Sequence, residues 1–248
     1  MSIKIGITER GDAGIDFSWE EKLDTVDGAI IISKYLSDEL ISKLIKHQEK
    51  IIFHCTCTGY GGTVLEPNVP PTAWTLKQLS SLIQQGFDPI HIVLRIDPII
   101  PTEKGIQVFE NVALQAPANT RSRISILDMY PHVRERFKAA GLPLPYGNNN
   151  FQASTEQMAS INELIENLTF HGLQFEACAE KELKSSSGNL QYVGCVSPKD
   201  LTILGLTSLE QMSAGKQRNG CLCLSCKTEL LTQKHPCKNN CIYCYWKN

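Results

Sequence analysis

Near the end of the chain the sequence reads Cys237-Lys238-Asn239-Asn240-Cys241-Ile242-Tyr243-Cys244. Three thiolates in this C-x3-C-x2-C spacing can wrap one face of a four-iron four-sulfur cubane. They hold three irons and leave the fourth without a protein ligand. That open iron can bind a small molecule and pass it an electron. The competing readings are a zinc knuckle completed by His235 or another cysteine, and chance clustering. Zinc sites usually show two C-x2-C pairs, or one with paired histidines. This chain has one C-x2-C and a nearby C-x-C.

A second constellation is Cys221-Leu222-Cys223, with Cys195 and Cys178 upstream. Four thiolates from 178, 195, 221 and 223 would complete a second cluster with no open iron, and Cys226 is an alternative ligand. Zinc, or a few inert buried thiols, are the other readings. Ten cysteines are present, six of them between 221 and 244. No secretory leader is recognisable at the N-terminus, so a reducing cytoplasm is expected. There, clustered cysteines bind metal or do redox chemistry more often than they form disulfides. Cys55 and Cys57 alternate along a strand end; ligands or radical-relay thiols are two readings, and packing as small residues is the favoured one.

These residues need a scaffold, and the first 180 residues supply one. Short apolar runs at 3–8, 28–33, 50–55, 89–96, 123–128 and 172–178 are continuous rather than alternating, as in strands buried on both faces. Helical signals lie between them at 37–47, 72–85, 104–116, 132–140 and 154–170, with a short doubtful segment at 19–26. Ser37 is a good N-cap, and Ser154 with Gln157 forms a capping-box pair. Further helices are expected to start at Ser197, with Pro198 following, and at Ser208. The stretch 143–153 reads as a surface loop. Six strands alternating with helices predict βαβ units, in an open doubly wound sheet or a barrel. The expected division is an α/β unit over 1–184 and a cysteine-rich segment over 185–248 folded back onto its mouth.

In a parallel sheet, ligands sit at the C-terminal strand ends. Those ends are polar here: Thr8 to Asp12, Ser33-Lys34, Thr56 to Gly62, Arg95 with Asp97, Asp128 with Tyr130, and Cys178 with Glu180. Lys34, Arg95, Asp97, Asp128 and Glu180 are therefore expected to line a shared pocket, since such charges are costly to bury apart. Gly59, Gly61 and Gly62 form a loop that lets backbone approach a ligand. The run matches neither a P-loop nor a dinucleotide fingerprint.

Composition narrows the partners. The 248-residue chain is 42% hydrophobic and 20% charged, as expected of a globular protein. No apolar run approaches the ~20 residues of a membrane span. A net charge of -2 and 7% aromatic residues give no support to a nucleic-acid surface or a base-stacking platform.

The chain resembles an uncharacterised bacterial family whose cysteine cluster is similar to that of radical S-adenosylmethionine (SAM) enzymes, with the motif at the end of the chain in a permuted arrangement. The carriers are Thr58-Gly59-Tyr60, Glu66 to Pro71, Arg95 with Asp97-Pro98-Ile99, Leu127 to Tyr130, Cys178-Ala179-Glu180, Cys221-x-Cys223, and Cys237/Cys241/Cys244 with Tyr243 and Tyr245. The resemblance implies a partial (βα)6 TIM-like barrel with an iron–sulfur segment. It implies a 4Fe-4S cluster with SAM at Cys237, Cys241 and Cys244, and a second cluster. The expected activity is reductive SAM cleavage and hydrogen abstraction from a substrate that the resemblance does not name. Tyr243 would flank the adenine, and a flavodoxin or ferredoxin would be the reductant. The Gly-Gly-Glu stretch with which many such enzymes hold the SAM amino group is absent; Gly61-Gly62, Asp97 and Glu180 are the substitutes at hand. The rival functions are a non-catalytic metal-stapled module and a radical-SAM nucleic-acid repair or modification enzyme.

Overall fold

A computed structural model describes residues 3–206, 221–231 and 237–246. The six expected strands form: β1 (Ile5–Ile7), β2 (Gly28–Ser33), β3 (Ile51–Thr56), β4 (Ile92–Ile99), β5 (Arg121–Ile126) and β6 (Phe175–Cys178). Two more, β7 (Leu190–Val193) and β8 (Lys227–Glu229), come from the cysteine-rich part. All pairings are parallel, in the order β7-β6-β5-β4-β3-β2-β1-β8. The expectation of six strands is thus corrected to an eight-stranded sheet. The additions were hidden because β7 is half exposed and β8 reads Lys-Thr-Glu, with no apolar run. Between Ile96 and Ile99 the register of β4 against β5 shifts.

The helices are α1 (Asp38–Lys46), α2 (Thr72–Gln84), α3 (Glu103–Ala113), α4 (Pro131–Ala139), α5 (Thr155–Phe170) and α6 (Pro198–Ile203). Local chemistry sets their starts. The Ser37 hydroxyl accepts from Leu40 N–H, Ser154 and Gln157 cap reciprocally, and Ser197 does the same with Asp200. The 19–26 segment is a 3-10 turn over Glu20–Thr25. The helix expected at Ser208 lies outside the described residues. Residues 143–153 hold no regular element.

Strand alternation divides the sheet into two faces. Ala29, Ile31, Ile51, Phe53, Ile92, Leu94, Ile124 and Ala177 join one core cluster with buried residues of α1, α2, α3 and α5. Intervening positions Ile5, Ile7, Ile30, Ile52 and Val93 join a second cluster with Leu201 of α6 and Leu224. Further along the same face the apolar residues give way to His54, Arg95, Arg123 and Glu176. β8 is locked in place by a void: a Cβ on Gly6 would sit 2.5 Å from Leu230, so glycine in β1 makes room for that side chain.

Candidate functional site

The C-terminal cysteines lie at the C-terminal ends of the strands. Cys237, Cys241 and Cys244 line a cavity of about 630 Å3, whose other walls are residues 9–12, residues 32–34, Thr56 and the aromatic side chains of Tyr243, Tyr245 and Trp246. The motif folds as tight turns with no helix or strand, so contacts from elsewhere must hold it. Asp12 is buried and accepts four hydrogen bonds: from Gly14 N–H (2.9 Å), Ser33 Oγ (2.5 Å), Lys34 N–H (2.9 Å) and Asn239 Nδ2 (2.5 Å). Asn68 donates to the Lys238 carbonyl at 2.7 Å, Ile242 N–H to the Leu65 carbonyl at 3.0 Å, and Arg136 of α4 to the Cys244 carbonyl at 2.5 Å. Asp128 N–H donates to the Tyr245 hydroxyl at 3.0 Å. The loops after β1, β3 and β5 and helix α4 thus converge on one cysteine turn.

Beside it lies a charged trio. Lys34 Nζ is 2.6 Å from Glu66 Oε1 and donates to the Tyr243 hydroxyl at 3.0 Å. The Tyr243 hydroxyl donates to the same Glu66 oxygen. Burial opposes the charge on Lys34, but Glu66 and the Cys241 sulfur outweigh it and raise its pKa. Burial pushes the Tyr243 phenol well up, reinforced by the Glu66 charge. Burial also pushes Cys237 up, and Cys241 up to about 12. These thiols become thiolates only when a cation or cluster meets them.

The second constellation gathers on the sheet's polar inner face. Cys178 Sγ, at the end of β6, lies 3.6 Å from Cys195 Sγ. Cys195 N–H donates to Cys223 Sγ at 3.0 Å, and Cys223 N–H to Cys221 Sγ at 3.4 Å. Hydrogen bonds from Cys178 and Cys223 hold Cys195 well below the ordinary thiol range, despite its burial and aided by Arg95 and Arg123. Cys178 moves up through its hydrogen bond to Cys195 and its burial. Cys226 stands apart: its carbonyl accepts from Ile5 N–H at 2.9 Å, and its side chain packs with the apolar cluster around Ile5 and Ile7. Four soft sulfur donors close together suit iron–sulfur or zinc chemistry. Among the described residues, no three His, Cys, Asp or Glu side chains already form a closed metal-coordination group.

A family model described as a domain of unknown function (DUF1848) matches residues 18–246, which span both cysteine groups. The chain belongs to the DUF1848 family. Searches of curated proteins and of solved structures find no match.

The remaining expected site residues of this DUF1848 chain are distributed rather than pooled. Lys34 and Tyr243 face the cysteine-lined cavity. Asp128 and Glu180 line a separate cavity of about 240 Å3, where Glu180 accepts from Ile126 N–H at 2.9 Å. Arg95 and Asp97 pair with each other, and Ser125 donates to Asp97 at 2.5 Å. Neither lines the two cavities. The glycines answer to packing: a Cβ on Gly59 (φ +89°) would strike Val108 at 2.3 Å, and one on Gly61 would strike the Pro70 carbonyl at 1.9 Å. Gly62 has φ +76°, a left-handed turn. Sequence reading did not single out Glu66, Asn239, Arg121, Arg123, Glu176 and Asp200 as site residues. Arginines on alternate positions of β5, at 121 and 123, were the available signal, because a strand interior carries such charges only with buried partners.

Proposed function

We propose that this DUF1848 chain is a radical-SAM enzyme on a partial (βα)6 TIM-like barrel, its open cluster held by Cys237, Cys241 and Cys244. The observation that carries the reading is the cavity: a three-cysteine turn with radical-SAM spacing faces an open pocket at the strand ends, where α/β folds bind ligands. Four helices on one sheet face and a sequential strand order support the barrel form. A 4Fe-4S cluster held by Cys237, Cys241 and Cys244, reduced by an external one-electron donor, would supply the electron for reductive cleavage of the SAM sulfonium. The chain's own residues prepare the place. Asp12 and Asn239 fix the turn, Lys34 sets a positive charge beside Cys241, and Tyr243 provides an aromatic wall. Tyr245 and Trp246 wall the same space and offer aromatic surface to a ligand.

Cys178, Cys195, Cys221 and Cys223 would hold a second cluster without an open iron. The direct thiol contact and the low pKa direction of Cys195 support thiolate ligation there. One observation favours zinc at that group instead: 3.6 Å is near the ~3.8 Å sulfur–sulfur edge of a tetrahedron with Zn–S bonds of ~2.3 Å. Metal analysis decides. Anaerobically purified protein should hold about eight irons with matching sulfide and produce 5′-deoxyadenosine from SAM under dithionite. Cys241→Ala should abolish that product. Retained cleavage in Cys241→Ala, or zinc with no iron after reconstitution, would overturn the reading.

A further inference from the structure

Three arginines, Arg95, Arg121 and Arg123, stand on the sheet's inner face, and Arg95 and Arg123 lie close to Cys195. Arg123 is 1% exposed. It donates to Glu176 Oε2 from Nη2 at 2.6 Å and from Nε at 3.1 Å, and its Nη1 reaches the Cys195 carbonyl at 3.2 Å. Its strand register places it beside Arg95 on one side and Glu176 on the other. Arg121 lies 2.8 Å from Asp200 and 3.4 Å from Glu176. His54 Nε2 is 3.4 Å from Arg123 Nη1.

Two features of this assembly have no purpose in packing alone. The first is a surplus of donors: Arg95 Nε, Arg121 Nε and Arg121 Nη2 are buried with no acceptor. The second is orientation. The acids Glu176 and Asp200 take one side of Arg123, and the Cys195 segment takes another. Buried guanidinia with unused N–H groups are costly unless negative charge completes the site. A thiolate-ligated cluster brings that charge.

We infer that Arg95 and Arg123 form a cationic floor that sets the reduction potential of the group held by Cys178, Cys195, Cys221 and Cys223. This rests on the second cluster proposed above. The two arginines are positioning residues, acting on the cluster through charge rather than as ligands. Positive charge close to a cluster favours its reduced, more negative form, so the floor raises the potential. The carboxylates Asp97 and Glu176 oppose it and trim the effect. Arg95, formerly expected in a substrate pocket, thereby gains a role that its position supports better.

Signs make the test selective. In full-length protein carrying Cys241→Ser, the interior group is the remaining cluster site. After anaerobic reconstitution, iron and sulfide are counted and a potentiometric titration is followed by electron paramagnetic resonance. Arg95→Gln should shift the midpoint negative, and Glu176→Gln should shift it positive, at unchanged iron content. Asp97→Asn gives a second positive-shifting variant should Glu176→Gln fail to fold. A merely structural role would lower iron occupancy without opposite shifts. If the Cys241→Ser protein holds no iron, or zinc instead, the second cluster fails and the inference with it. If iron is present and the variants titrate at the parent potential, the cluster stands and the inference is overturned.

Discussion

The two cysteine groups sit within one sheet yet are built in opposite ways. The group at 237, 241 and 244 occupies a turn held from outside, through backbone carbonyls and the Asn239 amide, and faces a cavity. Its neighbouring charges are paired off in advance, Lys34 with Glu66. The group at 178, 195, 221 and 223 is fed by a strand end and flanked by Arg123, whose Nη1 donates to the Cys195 carbonyl, and by Arg95, whose buried Nε has no acceptor. The sulfurs differ as well: burial raises Cys237 and Cys241 at the mouth, while inside hydrogen bonds lower Cys195 and raise its partners Cys178 and Cys223. The interior group thus has one thiol, Cys195, that the protein prepares for negative charge. At the mouth, Cys237 and Cys241 must be ionised by what they bind, which suits a position where a ligand exchanges.

Cysteine substitutions should break this contrast most strongly. Cys241→Ala should abolish SAM cleavage, while Cys223→Ala should retain measurable cleavage and lower the iron content from about eight towards four. Loss of cleavage in Cys223→Ala with the mouth iron intact would show that the groups do not divide the work. Asp12→Ala comes next. It strips a buried acceptor from four donors, each leaving part of its desolvation cost unrecovered. The expected loss is about 2–4 kcal/mol, read as a fall in Tm of roughly 5–15 °C. An unchanged Tm would mean that the turn is held without Asp12.

How far the sequence carried the reading depends on the kind of signal. Strands β2, β3 and β4 were legible as short runs rich in Ile and Val, while β5 (Arg-Ser-Arg-Ile-Ser-Ile) and β6 (Phe-Glu-Ala-Cys) gave a weaker apolar signal. Helix starts were legible through Ser37, Ser154 and Ser197, whose caps are local. The grouping of 178 with 195, 221 and 223 was proposed from type and spacing, and the fold brings those four together. What stayed hidden was long-range and polar. Nothing local marks Glu66 as the partner of Lys34, 32 residues away, or Asp12 as the holder of Asn239, 227 away. The loop glycines carry an ambiguous signal: a backbone that approaches a ligand and one that approaches Val108 or Pro70, as at Gly59 and Gly61, require the same residue.

Glu66→Gln sharpens the mouth side of the comparison. Glu66 is the largest influence raising the Lys34 pKa against its burial. Without that carboxylate, the burial penalty is less opposed and Lys34 releases its proton at lower pH. If the Lys34 charge supports cleavage, the alkaline limb of the pH–rate profile should move to lower pH in Glu66→Gln. An unmoved limb would separate Lys34 from the reaction. Lys34→Gln should flatten the same limb.

The smallest effect is expected where charges pair in water, which provides the reference for both interiors. Glu20 accepts from Lys43 (2.6 Å), Lys46 (2.9 Å) and His47 (2.9 Å), tying the 3-10 turn to α1. These bonds lower its pKa from 4.5 to about 2, with Lys43 contributing most. Its folded pKa is depressed, so the stabilisation is present above the unfolded value of about 4.3 and is lost as pH falls through about 2. Solvent screening keeps it near 1 kcal/mol at neutral pH, well below what the shift alone would suggest. Glu20→Gln should therefore lower denaturant-measured stability by about 1 kcal/mol at pH 7, with the difference vanishing near pH 2. One molar salt, with a screening length of about 3 Å, should shrink the same difference. A midpoint shift caused by the enclosed Arg95 should survive that salt. Equal salt sensitivity at both places would mean that the interior cysteines see bulk water, and the distinction between the two kinds of site would fall.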